Sequence, residues 1–317
     1  MKISVIICTR NHCASLKDTL AELDHVQIPA GIAVELIVVD NGSTDGTREI
    51  ASSARTAWPT VKYVFEPVAG QTTARNTGMA AASGEVIVFT DDDVRPDAGW
   101  LCELLPPILD GRFDAMGGTV RLAPNLMRGW MLPFHRKMLA STEGLDAKCP
   151  EEMVGANMAF SRRVLDQVPC FDTELGPGRL GFCDDSLFSF QLKQAGYRIG
   201  FAPKAAVEHH FDVSRLSRQS FLARAVGQGR SDAYISYHWR HRQYPGARSR
   251  ILRLNARLRI ERLLHRREIR SAEGCSKWEL SRLENISGLE QFLKESLRPR
   301  AYPLHGLRKV TAVSLSS

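Results

Sequence analysis

Short runs of β-branched and aliphatic residues alternate with stretches of helical period over the first 120 positions, the pattern that βαβ units around a parallel sheet produce. Strands are expected at 3–8, 34–39, 61–65 and 85–90. Each is apolar at nearly every position, as a strand covered on both faces requires. Between them fall a helix at 15–26, one opened by Thr44-Asp45-Gly46-Thr47 and ending near Trp58-Pro59, and an Ala-rich one at 71–83 closed by Gly84 as a C-terminal stop. The fourth strand runs directly into Asp91-Asp92-Asp93. From 121 to 152 the rhythm is lost, with Pro124, Gly129, Pro133 and Gly144 marking a long irregular connection. It returns as a strand at 153–160, a short helix at 161–168, a second loop at 170–181 holding Gly176-Pro177-Gly178, and a helix near 184–195. Beyond 214 the pattern is helical and increasingly Arg-rich to Arg270, and the last forty residues carry no clear signal. The chain shows no internal repeat.

Composition adds little until the charge is located. The 317 residues are 44% hydrophobic and 24% charged, ordinary globular proportions that exclude a disordered or fibrous chain. Lys and Arg number 42 against 35 Asp and Glu, a net +7. Between 240 and 270, however, eleven Arg face two Glu, a local +9, which leaves −2 for everything else. The basicity belongs to one segment, which argues against a nucleic-acid-binding protein. Seven cysteines, odd in number and without a C-x-x-C pair, indicate a reduced compartment. The opening apolar run is too short for a signal peptide, and no stretch reaches the eighteen or so apolar residues of a spanning helix. The expectation is a cytoplasmic protein.

Ligands of a parallel α/β sheet bind beyond the carboxyl ends of its strands. Three polar clusters fall at such ends: Thr9-Arg10-Asn11, Asp40-Asn41-Gly42-Ser43-Thr44-Asp45, and Asp91-Asp92-Asp93. Alone, the second reads equally well as a turn followed by a helix cap. The third is harder to explain as structure, because adjacent carboxylates raise one another's pKa unless a cation or donors offset them. On an extended backbone Asp91 and Asp93 point one way and Asp92 the other. Such oxygen ligands suit magnesium or manganese, which leave coordination positions for a diphosphate and water. A solvated acidic turn is the plain alternative.

Ser4-Val5-Ile6-Ile7-Cys8-Thr9-Arg10-Asn11, Val38-Val39-Asp40-Asn41-Gly42-Ser43-Thr44-Asp45-Gly46-Thr47, Ala74-Arg75-Asn76-Thr77-Gly78 and Phe89-Thr90-Asp91-Asp92-Asp93 follow one another at the spacing of family 2 glycosyltransferases, which the chain resembles over roughly residues 2–230. The resemblance implies an α/β GT-A fold, Rossmann-like, with a mostly parallel central sheet flanked by helices. Residues 1–120 would be the nucleotide-binding half, 121–230 the acceptor-binding half, and 231–317 a helical, basic C-terminal extension. It implies that Asp40 hydrogen-bonds the nucleotide base, with Thr9 and Arg10 in the same pocket. Arg75 and Asn76 would face the diphosphate and sugar. Asp91 and Asp92 would lie on the donor side, and Asp91 and Asp93 would form the D-x-D pair, Asp93 binding the metal. Gly155 to Phe160 resembles the strand before the acceptor loop, which puts Asn157 on the acceptor side. Phe182-Cys183-Asp184-Asp185 resembles the family E-D motif, with Asp184 where Glu is commoner and Asp185 as catalytic base. Either aspartate could instead cap the following helix, and both roles can hold, with Asp184 capping and Asp185 reacting. Val207-Glu208-His209-His210, with Arg215 and Gly229, resembles a segment in which a histidine approaches the metal; the spacing to Arg215 favours His209 over His210, and a structural histidine is the even alternative.

The implied activity is that of an inverting, manganese- or magnesium-dependent hexosyltransferase of the kind that builds polysaccharides. It would move a sugar from a nucleoside diphosphate, uridine diphosphate by family expectation, to a hydroxyl of a saccharide, lipid-linked or small-molecule acceptor. A nucleotidyltransferase is the nearest rival, but Thr9-Arg10-Asn11-His12 lacks the glycines of its signature loop. A non-catalytic carbohydrate-binding or scaffold protein is the other, and the complete set of acidic positions argues against it. Plotted as a helix, 247–270 places Leu252, Ala256, Ile260, Leu263 and Leu264 on one side and Ile251, Leu254, Leu258 and Ile269 on another. Contact with both the catalytic domain and a partner subunit, as in a homodimer, is one reading of 240–270. Peripheral attachment to anionic lipid at the inner face of the plasma membrane is the other.

Overall fold

The computed structural model describes residues 1–53, 58, 60–144 and 152–310, and these form two compact units. The first comprises Met1–Arg128, Leu139–Thr173 and Asp184–Phe211; the second comprises Gly129–Met138, Glu174–Cys183 and Asp212–Ser317.

Helices run at α1 (Cys13–Leu23), α2 (Thr47–Ser53), α3 (Gln71–Ala81), α4 (Trp100–Leu104), α5 (Pro106–Leu109), α6 (Pro133–Met138), α7 (Asp184–Gln194), α8 (Arg218–His238), α9 (Ala247–Leu264) and α10 (Lys277–Glu295). Strands are β1 (Lys2–Thr9), β2 (Ala33–Asp40), β3 (Thr60–Phe65), β4 (Val86–Asp91), β5 (Val94–Pro96), β6 (Ala115–Leu122), β7 (Asn157–Ser161) and β8 (Ile199–His209). All eight strands belong to one mixed sheet of the first unit, in the order β3-β2-β1-β4-β7-β6-β8-β5. The β3-β2-β1-β4 portion is parallel, as its continuous apolar runs predict. Ile3, Val5 and Ile7 pack with Leu16 and Leu20 of α1 and Trp100 and Leu104 of α4 in one core. Ile6 and Val39, on the alternate positions, lie against Gly78 of α3. At β4 the direction changes: β7 runs antiparallel to both β4 and β6.

Two glycines explain where the sequence pattern misleads. Gly84 is not the left-handed stop of α3, which ends at Ala81 with Ala82 extended. A Cβ on Gly84 would lie 2.5 Å from the Ser4 amide nitrogen and 2.6 Å from the Ile3 carbonyl carbon, so the position needs glycine for close approach to β1. Gly118 interrupts the apolar pattern of β6, and the register of the β6–β8 pairing shifts there. Its missing Cβ leaves room for the Asn157 amide and the Ala205 carbonyl.

In the second unit α8 packs on α10 and α9 on α10. Gly229 of α8 and Gly288 of α10 let the two backbones meet, a Cβ on Gly288 lying 3.1 Å from the Gly229 carbonyl oxygen. The carboxylate of Glu279, fully buried, is shared by Arg218 at 2.5 Å and Arg262 at 2.8 Å. Burial favours its protonated form, but the two guanidinium groups outweigh it and hold the carboxyl below its usual range. Among the described residues no helix is long and apolar enough to cross a membrane.

Candidate active site

Parallel register brings the polar clusters of β1, β2 and β4 to one edge, with Thr9 beside Asp40 and Cys8 beside Asp91. Asp40 is buried and accepts from the Ser43 amide and the Tyr63 hydroxyl, both at 2.9 Å. Burial and that carboxylate together push Tyr63 up to about 12. Thr9 is buried too, and its hydroxyl has no hydrogen-bond partner among the described residues. Arg10 is exposed. Two asparagines unassigned by sequence reasoning shape this edge. Asn11, at φ 54°, donates its amide to Ser43 Oγ at 2.9 Å and accepts from the Thr44 amide at 2.7 Å, tying the first loop to the second. Asn41 braces 66–70, donating to the carbonyls of Glu66 and Val68 and accepting from the Gly70 amide.

The three adjacent aspartates diverge onto three partners. Asp91 lies 3.9 Å from Arg75 Nη2, Asp92 3.3 Å from His12 Nδ1, and Asp93 3.3 Å from His209 Nε2. Burial raises Asp91 to about 6, with Arg75 working against it and Asp93 with it. His209 is the histidine at the cluster, whereas His210 lies against Glu208 at 2.6 Å. The Nδ1 of His209 meets the Leu139 carbonyl at 3.1 Å, and a carbonyl can only accept, so Nδ1 carries the proton. Nε2 is then the His209 nitrogen that faces the Asp93 carboxylate, at 3.3 Å. Among the described residues no group of three or more His, Cys, Asp or Glu side chains is placed to hold a metal ion. A divalent ion of the magnesium or manganese kind does not need one, since it keeps positions for water and phosphate. The Asp93–His209 pair, 3.3 Å apart, offers two donor groups of the kind such an ion takes.

Arg75, on α3, is buried and does not lie on the helix surface. It pairs with Asp184, approaches Asp91, and has the Phe89 and Phe171 rings 5.8 Å and 5.7 Å from its guanidinium carbon. Asp184 is therefore a partner of Arg75 rather than the cap expected of it. The Ser186 amide of α7 is taken by Asp185 Oδ1 at 2.9 Å. Asp185 Oδ2 accepts from the Gly155 amide at 3.0 Å. Burial, then the charge of Asp184, push Asp185 up to about 7, against the pull of Arg75 and Gly155. A carboxyl so placed can exchange a proton near neutrality.

Two expected site residues are used elsewhere. Asn76 clasps the backbone of Phe171, donating to its carbonyl at 3.0 Å and accepting from its amide at 2.9 Å. Asn157 is not on an acceptor surface. It is fully buried, accepts from Trp100 Nε1 at 2.8 Å, and donates to the carbonyls of Thr119 at 2.9 Å and Ala205 at 2.8 Å. The Gly155 amide and the two phenylalanines around Arg75 are the parts of the site that went unassigned. Only the small residue two positions before β7 hints at the first.

A family model described as Glycosyl transferase family 2 matches residues 4–168, more than half of the chain. Glycosyltransferase AglE of Haloferax volcanii is 35% identical over 125 residues, 39% of this chain and 41% of that protein. Succinoglycan biosynthesis protein ExoM of Rhizobium meliloti is 26% identical over 238 residues, 73% of this chain and 74% of that one. The matches to the first curated relatives span less than half of those proteins' own lengths. Among solved structures, mannosyltransferase PcManGT from Pyrobaculum calidifontis, in complex with GDP-Man and Mn2+, superposes with a TM-score of 0.55 at 19% identity, covering 92% of this chain and 69% of that one. That likeness establishes the GT-A architecture.

Proposed function

The chain belongs to glycosyl transferase family 2, and from that premise we propose that it transfers a sugar from a nucleoside-diphosphate donor to an acceptor hydroxyl in one inverting displacement. Asp185 carries this reading. Its carboxylate, anchored through one oxygen by the Gly155 amide and raised toward neutrality, takes the proton of the acceptor hydroxyl as that oxygen attacks the anomeric carbon. Arg75 holds Asp184 beside it and so fixes the field in which the base works. On the donor side, Asp40 receives the base of the nucleotide with Arg10 in the same pocket, and the Thr9 hydroxyl, unpartnered among the described residues, is free to meet the same ligand.

Asp93 and His209 would hold manganese or magnesium, which, when bound, would stabilise negative charge on a leaving diphosphate. The Pyrobaculum neighbour's GDP-Man and Mn2+ support a nucleotide-sugar donor and a divalent ion as classes. The acceptor is a saccharide, lipid-linked or small-molecule hydroxyl.

Incubation with uridine, guanosine and thymidine diphosphate sugars and manganese, followed for diphosphate release and by NMR of the product's anomeric centre, tests the reading. Nucleoside diphosphate release with inverted configuration, abolished by exhaustive chelation, is expected. Release of pyrophosphate instead, or turnover undiminished by chelation, overturns it.

A further inference from the structure

The arginine-rich helix α9 has two apolar faces, and among the described residues only one of them is covered. Ala247 and Leu258 are buried and Ile251 and Leu254 partly so, on the side turned to the rest of its unit. Leu252, Ala256, Ile260, Leu263 and Leu264 occupy the opposite arc, about 120° wide at 100° per residue. Leu252 is 72% exposed, Ile260 57%, Leu263 75% and Leu264 74%. Arginines line both edges of this outer stripe, Arg248 and Arg259 on one and Arg250 and Arg257 on the other, and Arg253 lies just inside the second edge between Ile260 and Leu264, all of them exposed. The helix holds six arginines against one glutamate, Glu261, which is already paired with Arg257 and Arg282.

We propose that this outer stripe docks α9 flat on an anionic lipid surface, its leucines entering the acyl boundary and its flanking arginines meeting the headgroup phosphates. Charge complementarity selects the occupant. Two copies packed stripe to stripe would set arginine rows against arginine rows whatever their direction, a like-charge contact at both edges. A bilayer with acidic headgroups offers the opposite sign along both edges and an apolar slab between them. Arginine suits the edge positions, because its aliphatic stem can lie along the apolar stripe while its guanidinium stays at the phosphate level. The surface is independent of the donor site, so either proposal can fail alone.

Flotation of the full chain with phosphatidylglycerol–phosphatidylcholine vesicles, and with pure phosphatidylcholine vesicles, is the test. Binding to the acidic vesicles only is expected, weakening as salt rises. Leu263→Ser/Leu264→Ser should lower the partition coefficient at least tenfold. Arg253→Gln/Arg259→Gln should lower it roughly 25-fold, from about fivefold per arginine. All four side chains are exposed, so the melting temperatures of both variants should match that of the parent. Absence of flotation at low salt overturns the proposal, as does flotation insensitive to both variants. A parent that light scattering shows to be a dimer, made monomeric by Leu263→Ser/Leu264→Ser, would give the stripe to a second copy and overturn it equally.

Discussion

Asp185 sits where its surroundings oppose its ionisation, and this has a measurable sign. Burial and the neighbouring Asp184 carboxylate raise it to about 7, and a general base works only when deprotonated. The transfer rate should therefore rise with pH through about 7 and level above it. Asp184→Asn removes a like charge and releases the hold of Arg75, two changes that both lower the pKa of Asp185. The acid limb of the kcat/KM profile should then move to lower pH, and an unmoved limb would show that Asp184 does not tune the base. Asp185→Asn should cut transfer by about 10²–10⁴ while leaving calorimetric donor affinity unchanged. Equal losses in both would make Asp185 a binding residue instead.

The element scale shows what a sequence can and cannot disclose. The parallel strands β1, β2 and β4 announce themselves because both faces are covered, and their polar ends are legible for the same reason: the hydrophobic runs stop where the polar clusters begin. Asp40 and Asp91 close β2 and β4, and Asp93 follows two residues later; His209 and Asp185 are marked in the sequence by the family resemblance alone. The antiparallel half is less legible. Gly117 and Gly118 break the apolar run of β6, and the buried Asn157 in β7 has the look of a functional polar residue. What it does is join α4, β6 and β8 through three hydrogen bonds. Asn157→Ala should strand the Trp100 indole N–H and two carbonyls, costing about 3 kcal/mol in a denaturant titration, with the acceptor KM of the folded fraction unchanged. The helix α10 escaped notice because its ordering comes from Gly288 against Gly229 and from the buried Glu279, tertiary contacts that no local period records.

At the scale of the whole molecule the net charge of +7 conceals a much sharper division. The residues of the first unit carry 17 Lys and Arg against 25 Asp and Glu, a formal −8, and those of the second carry 25 against 10, a formal +15. A protein of pI about 9.1 with evenly spread charge would pass a cation exchanger at that pH; this one should be retained there at low salt, through its second unit alone. Flow-through would mean that the arginines are internally neutralised. Size of charge is one thing that distance along the chain decides; order in time is another. The tie at Asn157 cannot close until Ala205 exists, and on the ribosome that residue emerges 48 positions later. At about 5–20 residues per second this is a delay of several seconds. During it the parallel half, complete once β4 has appeared, can already fold, while β7 waits with its amide in water for the strand that will satisfy it.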